Sequence, residues 1–198
     1  MQNEIEAKFL HISHDVMRQV LKNAGATCTV PMRDMRRSIL DFPDRRLHQS
    51  NSFVRVRDEG DKVTMTFKRF EDQGVNGARE VETLVGSYEQ ALNICLAIGL
   101  VVQSSQESKR ETWLIDGVEV VLDEWPWLDP LIEIEGPSEA EVKRTSYRLG
   151  LDWQSAVFGD ATVAYRAQYP HLSDEDNIVQ IPQLVFGGQL PELLQNKL

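Results

Sequence analysis

Like charges recur two residues apart with one apolar residue between them: Glu4-Ile5-Glu6, Arg55-Val56-Arg57, Glu80-Val81-Glu82 and Glu133-Ile134-Glu135. Successive side chains of a β-strand point to opposite faces, so each triplet puts two equal charges on one face and an aliphatic group on the other. A solvated strand face ordinarily mixes Thr, Ser, Gln and charges of both signs, because like charges side by side repel. Segregated charge becomes favourable when something of opposite sign sits against it, a divalent cation for carboxylates or a polyanion for guanidinium and ammonium groups.

The same parity runs through the other alternating stretches. "EIEAK" gives Glu4, Glu6 and Lys8 against Ile5 and Ala7, and "RSILDF" (37 to 42) contributes Asp41. "SFVRVRD" (52 to 58) gives Arg55 and Arg57 against Val54 and Val56, and "KVTMTFKRF" (62 to 70) gives Lys68 with Thr64 and Thr66 against Phe67. "AREVETL" (78 to 84) adds Glu80 and Glu82 against Val81, and "SKRETWLID" (108 to 116) adds Arg110. "VEVVLDEW" (118 to 125) gives Asp123, with Glu119, against Val120 and Leu122, and "LIEIEG" (131 to 136) gives Glu133 and Glu135 against Ile132 and Ile134. Turn signals such as "DEGDK" and "DQGVNG" separate the middle stretches, as in an antiparallel meander.

One helix follows the first strand, and each of the two later runs of strands, 37 to 84 and 108 to 136, is followed by helix. "SHDVMRQVLKNAGA" offers Ser13 as N-cap and Val16, Val20, Leu21 and Ala24 as apolar positions, with Gly25 near the stop. "SYEQALNICLAIGL" has Ser87 and Gln90 in capping-box spacing and places Cys95 in a core. Ser138 and Glu141 repeat the box in "SEAEVKRTSYRLGL", and "DWQSAVFGDATVAYRAQY" reads as a further helical stretch. The fold class is therefore α+β: about eight antiparallel strands with helices on one side. Residues 1–170 form the domain, and 171–198, which lose periodicity, form an extension that packs through Ile181, Leu184, Val185, Phe186 and Leu190.

If that sheet closes with its apolar face outward against the helices, the interior is a charged tunnel rather than a packed core. Carboxylate oxygens suit hard cations such as Mg²⁺ or Mn²⁺, and Arg and Lys suit phosphate oxygens. Both sets in one lumen describe a site for a metal-bound polyphosphate. The net charge of −10 opposes general attachment to nucleic acid or an anionic membrane, leaving a local basic pocket as the anion site. Cys28 and Cys95 are far apart and in no metal spacing, which fits a reducing, cytoplasmic setting. No signal-like start and no apolar run near the roughly 20 residues of a membrane span is present. His11 and His14 lack further ligands, Gly187-Gly188 opens no phosphate loop, and "SDEDN" reads as solvated. Trp113, Trp125 and Trp127 either stack on an organic group of a ligand or pack the turn around Pro126.

The ordered set "EIEAK", "VRVR", "TFK", "REVE", "KRETW", "VVLDEWPWL" and "LIEIEG" resembles the CYTH proteins, the triphosphate tunnel metalloenzymes, over about residues 1 to 170. The resemblance implies an eight-stranded antiparallel β-barrel that binds a triphosphate with Mg²⁺ or Mn²⁺. It implies Glu4, Glu6, Asp123, Glu133 and Glu135 as metal ligands, and Lys8, Arg55, Arg57, Lys68 and Arg110 as the phosphate set. Glu4, Glu6 and Lys8 would be catalytic, and Glu80 and Glu82 further acids of the tunnel. The chain departs from the family pattern at Leu40, which precedes Asp41 where an aromatic residue is usual. It departs again at Ser108, two before Arg110, where a lysine is common; the neighbouring Lys109 points outward by parity.

The function expected is hydrolysis of a small-molecule triphosphate: inorganic tripolyphosphate, thiamine triphosphate or a nucleoside triphosphate. A class IV type adenylyl cyclase and a non-catalytic binder of polyphosphate or nucleotide are the alternatives. Oligomeric state is open, a homodimer included.

Overall fold

The computed structural model describes residues 2–71 and 78–195; the expected "DQGVNG" turn lies outside the described residues. Its elements are β1 (Gln2–Glu4), β2 (Glu6–Phe9), α1 (His14–Asn23), β3 (Thr27–Asp41), α2 (Arg46–Gln49), β4 (Ser52–Asp58), β5 (Val63–Phe70), β6 (Ala78–Val85) and α3 (Tyr88–Ala97). They continue with β7 (Val101–Ile115), β8 (Val118–Glu124), β9 (Leu131–Glu135), α4 (Glu139–Arg148), α5 (Thr162–Gln168) and the short β10 (Gln183–Leu184). The strands hydrogen-bond in the order β1-β6-β5-β4-β3-β7-β8-β9-β2. Only Ile5 separates β1 from β2, so one N-terminal strand pairs with β6 through Glu4↔Ala78 and with β9 through Lys8↔Glu133. The sheet thereby closes on itself as an eight-stranded antiparallel barrel.

The outward residues supply the apolar contacts of the helices. His14, Met17 and Leu21 are the buried residues of α1. Met17 and Leu21, with Val142 of α4, pack on Ala7, Val120, Leu122 and Ile134 of the neighbouring strands. Val16, expected on that face, is 62% exposed, because the helix starts at His14 and its i, i+3, i+7 stripe begins there. Cys95 is fully buried with Ala91 of α3 against Leu40, Val56 and Leu100. Ser87 accepts from the Gln90 amide at 3.3 Å, and Ser138 Oγ accepts from the Glu141 amide at 3.3 Å and donates to the Glu141 carboxylate at 2.9 Å. Ser13 makes no side-chain cap. Coverage of the barrel is incomplete: Val81, facing outward on β6, is 52% exposed.

β3 and β7 run to 15 residues each, far beyond the stretches "RSILDF" and "SKRETWLID". Their register shifts between Cys28 and Val30, between Val30 and Arg33 across Pro31, and between Ile39 and Leu40. The first two shifts each leave an extra residue in β3 and reset its parity, which hides its first half from a period-2 reading, and the third leaves Gln103 extra in β7. The C-terminal stretch is docked on the body: Gln183 and Leu184 pair in parallel with Ser105 and Gln106, and Ser104 Oγ donates to Ile181 O at 2.6 Å. Ile181 and Leu184 are buried with Trp125, Leu131 and Tyr165, whereas Phe186 and Leu190 are 38% and 39% exposed, because the chain turns away at Gly187 (φ +73°). No helix among the described residues is long and apolar enough to cross a membrane.

Leu184 has no exposed surface, so Leu184→Ala should cost about 2–5 kcal/mol. Urea unfolding should show the midpoint falling with an unchanged slope; a midpoint equal to wild type would mean the C-terminal stretch does not hold the barrel.

Candidate active site

The inward residues of all eight long strands line one cavity of about 420 Å³. Eleven of the twelve side chains singled out from the sequence meet there: Glu4, Glu6 and Lys8 from β1 and β2; Arg55, Arg57 and Lys68 from β4 and β5; Glu80 and Glu82 from β6; Arg110, Glu133 and Glu135 from β7 and β9. Asp123 lies beneath this surface, 1% exposed, with both carboxylate oxygens accepting from the Arg110 guanidinium. It serves Arg110 rather than standing with Glu4 and Glu6.

Strand register gives the cavity two electrical walls. Glu6 lies opposite Glu135, and Glu135 opposite Glu119, so three carboxylates form a row across β2, β9 and β8. On the other wall Arg37 lies opposite Arg57, and Arg33 opposite Arg110. Such pairs repel. Part of the repulsion is relieved by ion pairs: Lys8 Nζ reaches Glu6 at 2.6 Å and Glu133 at 3.4 Å, and Lys68 pairs with Glu4. Arg57 reaches Glu59 at 2.7 Å, and Arg55 reaches Glu82 at 3.4 Å.

The titration of these groups follows their neighbours. Burial alone would raise Glu133, but Lys8 and Arg110 outweigh it and hold the carboxyl far below its usual range. Burial works against the charge of Lys8, yet Glu133 and Glu6 keep it firmly protonated. Glu135 has no cation against it among the described residues; burial, then Glu4, Glu6, Glu119 and Glu133, push its carboxyl up to about 8. Burial and Arg55 bring Arg57 down to about 10.

Among the described residues no three His, Cys, Asp or Glu side chains stand close enough together to chelate a metal ion as they are. Glu4, Glu6 and Glu133 are held by lysine or arginine instead. The donor chemistry nevertheless fits a hard divalent cation: a row of carboxylates, one pushed toward its neutral form by burial and then by its acidic neighbours. His11 pairs with Asp129 at 2.9 Å, and His14 lies 3.0 Å from Leu131 O, so neither faces the cavity.

The sequence reading missed Arg33, Arg37 and Glu59. Arg37 shares the parity of Asp41, which was the signal available for it. Asp41 itself caps α2, accepting from the amides of Phe42, Leu47 and His48. Lys109 points away from the cavity toward Asp34 at 3.8 Å. Trp113 is core, its Nε1 donating to Glu111 at 2.7 Å; the Trp127 carbonyl accepts from Tyr169 Oη at 2.6 Å; Trp125 alone of the three lines the cavity.

A model of the CYTH domain family matches residues 2–149. Among solved structures the chain is similar to a putative adenylate cyclase from Vibrio parahaemolyticus, with 14% identity and a TM-score of 0.72 over 82% of this chain and 97% of that one. It is similar to the PH1012 protein of Pyrococcus horikoshii OT3, with 20% identity and a TM-score of 0.66 over 77% and 93%. It is also similar to HpAC1 from Hippeastrum, described as a putative adenylyl cyclase with a dominant triphosphatase activity, with 14% identity and a TM-score of 0.61 over 86% and 98%. At these identities the likeness is one of fold. No curated protein matches.

Glu135 carries a pH signature. Its folded pKa lies above the ordinary 4.5, so between about 4.5 and about 8 the native state binds more protons than the unfolded chain, and stability falls as pH rises through that window. Solvent reaches this side chain and screens part of the repulsion, so the direction is the expectation. In EDTA, the melting temperature of wild type should drop more between about pH 5 and about pH 8.5 than that of Glu135→Gln. Equal slopes would show that the row exerts no pressure on Glu135.

Proposed function

The chain belongs to the CYTH domain family, and from that premise we propose that it is a divalent-metal-dependent hydrolase of a triphosphate: inorganic tripolyphosphate, thiamine triphosphate or a nucleoside triphosphate. The observation that carries this reading is a carboxylate row, in which Glu6 alone is ion-paired among the described residues, set against an arginine wall across one cavity. A metal-bound triphosphate is complementary to both. Glu4, Glu6 and Glu135, with Glu133 beside them, would hold Mg²⁺ or Mn²⁺. The bound ion would polarise phosphoryl oxygens and make water a better nucleophile near neutral pH.

The chain's own side chains do the remaining work. Arg55, Arg57, Arg110 and Lys68 neutralise the phosphate oxygens and hold the substrate in line. Lys8, fixed between Glu6 and Glu133, keeps its proton and adds its charge to the cavity beside the acids that would hold the metal. Charge preorganised in this way supplies most of the catalysis in phosphoryl transfer. The names of the similar structures also support a cyclase reading, in which a ribose 3′-hydroxyl replaces water; the description of HpAC1 favours hydrolysis as the main activity. The absence of a paired cysteine among the described residues accords with a cytoplasmic protein.

Purified protein should release phosphate from at least one of tripolyphosphate, thiamine triphosphate and ATP with Mg²⁺ or Mn²⁺, and EDTA should stop it. A Glu4→Ala, Glu6→Ala double variant should lose roughly two to three orders of magnitude in kcat. Wild type no faster than this variant on every substrate would refute the proposal. Cyclic AMP formed from ATP in preference to phosphate would establish the cyclase, and tight binding without turnover a non-catalytic receptor.

A further inference from the structure

The cations of the cavity are matched to acids with one exception. Lys8, Arg33, Arg55, Arg57, Lys68 and Arg110 each have a carboxylate within the 4.0 Å of an ion pair. Arg37, 6% exposed and lining the same cavity, has none among the described residues. Its Nη2 donates to the hydroxyl of Ser108, a neutral partner, and its guanidinium plane lies 4.4 Å over the Trp125 ring. Its Nε is buried without an acceptor, as are the Nε atoms of Arg55 and Arg57 on the adjoining strand.

We propose that Arg37 is a substrate-binding residue whose guanidinium, which no carboxylate neutralises, forms with the unpartnered Nε groups of Arg55 and Arg57 a preset seat for one phosphate group of the triphosphate. The inference rests on the triphosphate reading above and adds to it a residue that the family pattern did not indicate. Four physical points support it. A buried cation without a counterion destabilises the empty protein, and a bound anion removes that penalty. Arg37 stands directly across the ladder from Arg57, so their combined potential is most favourable for a multiply charged tetrahedral oxyanion. Burial, then the charges of Arg57, Arg55 and Arg110, weaken its hold on its proton in the empty cavity, the reverse of what an anion would do. The Trp125 ring and Ser108 fix the guanidinium plane before any ligand arrives, so little rotamer freedom remains to be lost on binding. Ser108 fills the position where the family commonly has a lysine. The charge absent there is supplied by Arg37 from the adjacent strand.

The test uses the full chain with Mg²⁺ and the imido analogue of tripolyphosphate, which resists hydrolysis. Calorimetric titration gives Kd, and thermal melts with and without the analogue give the stabilisation by ligand. Arg37→Met should weaken binding roughly 10- to 100-fold. Its ligand-free melting temperature should be equal to or above that of wild type, since a burdened charge has gone. Arg37→Lys, which keeps charge without the fork, should fall between the two. Wild-type affinity in Arg37→Met would overturn the assignment while leaving the triphosphate reading intact. So would a lower ligand-free melting temperature with undiminished stabilisation by ligand, the mark of a purely structural arginine. If Arg37→Met does not fold, wild-type affinity in Arg37→Lys overturns the assignment, and an affinity reduced tenfold or more upholds it. Failure of wild type itself to bind the analogue would remove the triphosphate reading and this inference together.

Discussion

Repulsion between equal charges held side by side on neighbouring strands is the constraint around which this fold is organised. A sheet that presented Glu6, Glu135 and Glu119 in a row to open water would gain nothing from closing. Closure places that row opposite Arg37, Arg57, Arg33 and Arg110, and lets the intervening lysines reach across. The N-terminal strand is the point at which both effects meet. Its Glu4 contacts Lys68 of β5 and its Lys8 contacts Glu133 of β9, so the seam is tied by charge on both sides as well as by backbone hydrogen bonds. The groups that close the barrel are thus among those that a ligand would engage.

The outer surface follows from the same alternation. Because the inward positions are committed to charge, the outward aliphatic residues must be covered, and three clusters do so: α1 and α4 over β2, β8 and β9; α3 over β3 and β4; and the C-terminal stretch over Trp125 and Leu131. The last of these makes one wall of the cavity rigid from behind. Trp125 is held by Tyr165, Ile181 and Leu184 on one side and carries Arg37 on the other. A segment that reads as an appendage in the sequence therefore supports the aromatic platform of the site.

Most of the site was legible because a side-chain period of two is strict within a strand. Eleven of the side chains chosen by parity do face one lumen. Parity fails where strands are irregular. Pro31 and two shifts of register conceal the first half of β3, and with it Arg33, while Arg37 was passed over although it shares the face of Asp41. Glu59 was hidden for a different reason. It sits in "DEGDK", whose composition is that of a solvated turn, yet it is 3% exposed and joins Arg33, Arg57 and Lys62. Nothing in a local pattern distinguishes a turn acid that folds inward from one that does not. Asp41 shows the converse: correct parity, but carboxylate oxygens taken up by three backbone amides at the start of α2.

The overall charge of −10 argues against a polyanion ligand, yet the cavity presents an arginine wall, and the two are reconciled by distance and dielectric. Exposed acids are screened by salt over a Debye length of about 8 Å at physiological ionic strength, so their repulsion fades before a ligand reaches the lumen. Inside, partial burial removes that screening, and the cations nearest the ligand dominate. The acid row, unfavourable to a bare triphosphate, becomes favourable once a divalent ion lies between them. On the proposed reading that dependence would make the cavity selective: an anion alone would meet one hostile wall, a cation alone the other, and only the two together would satisfy both.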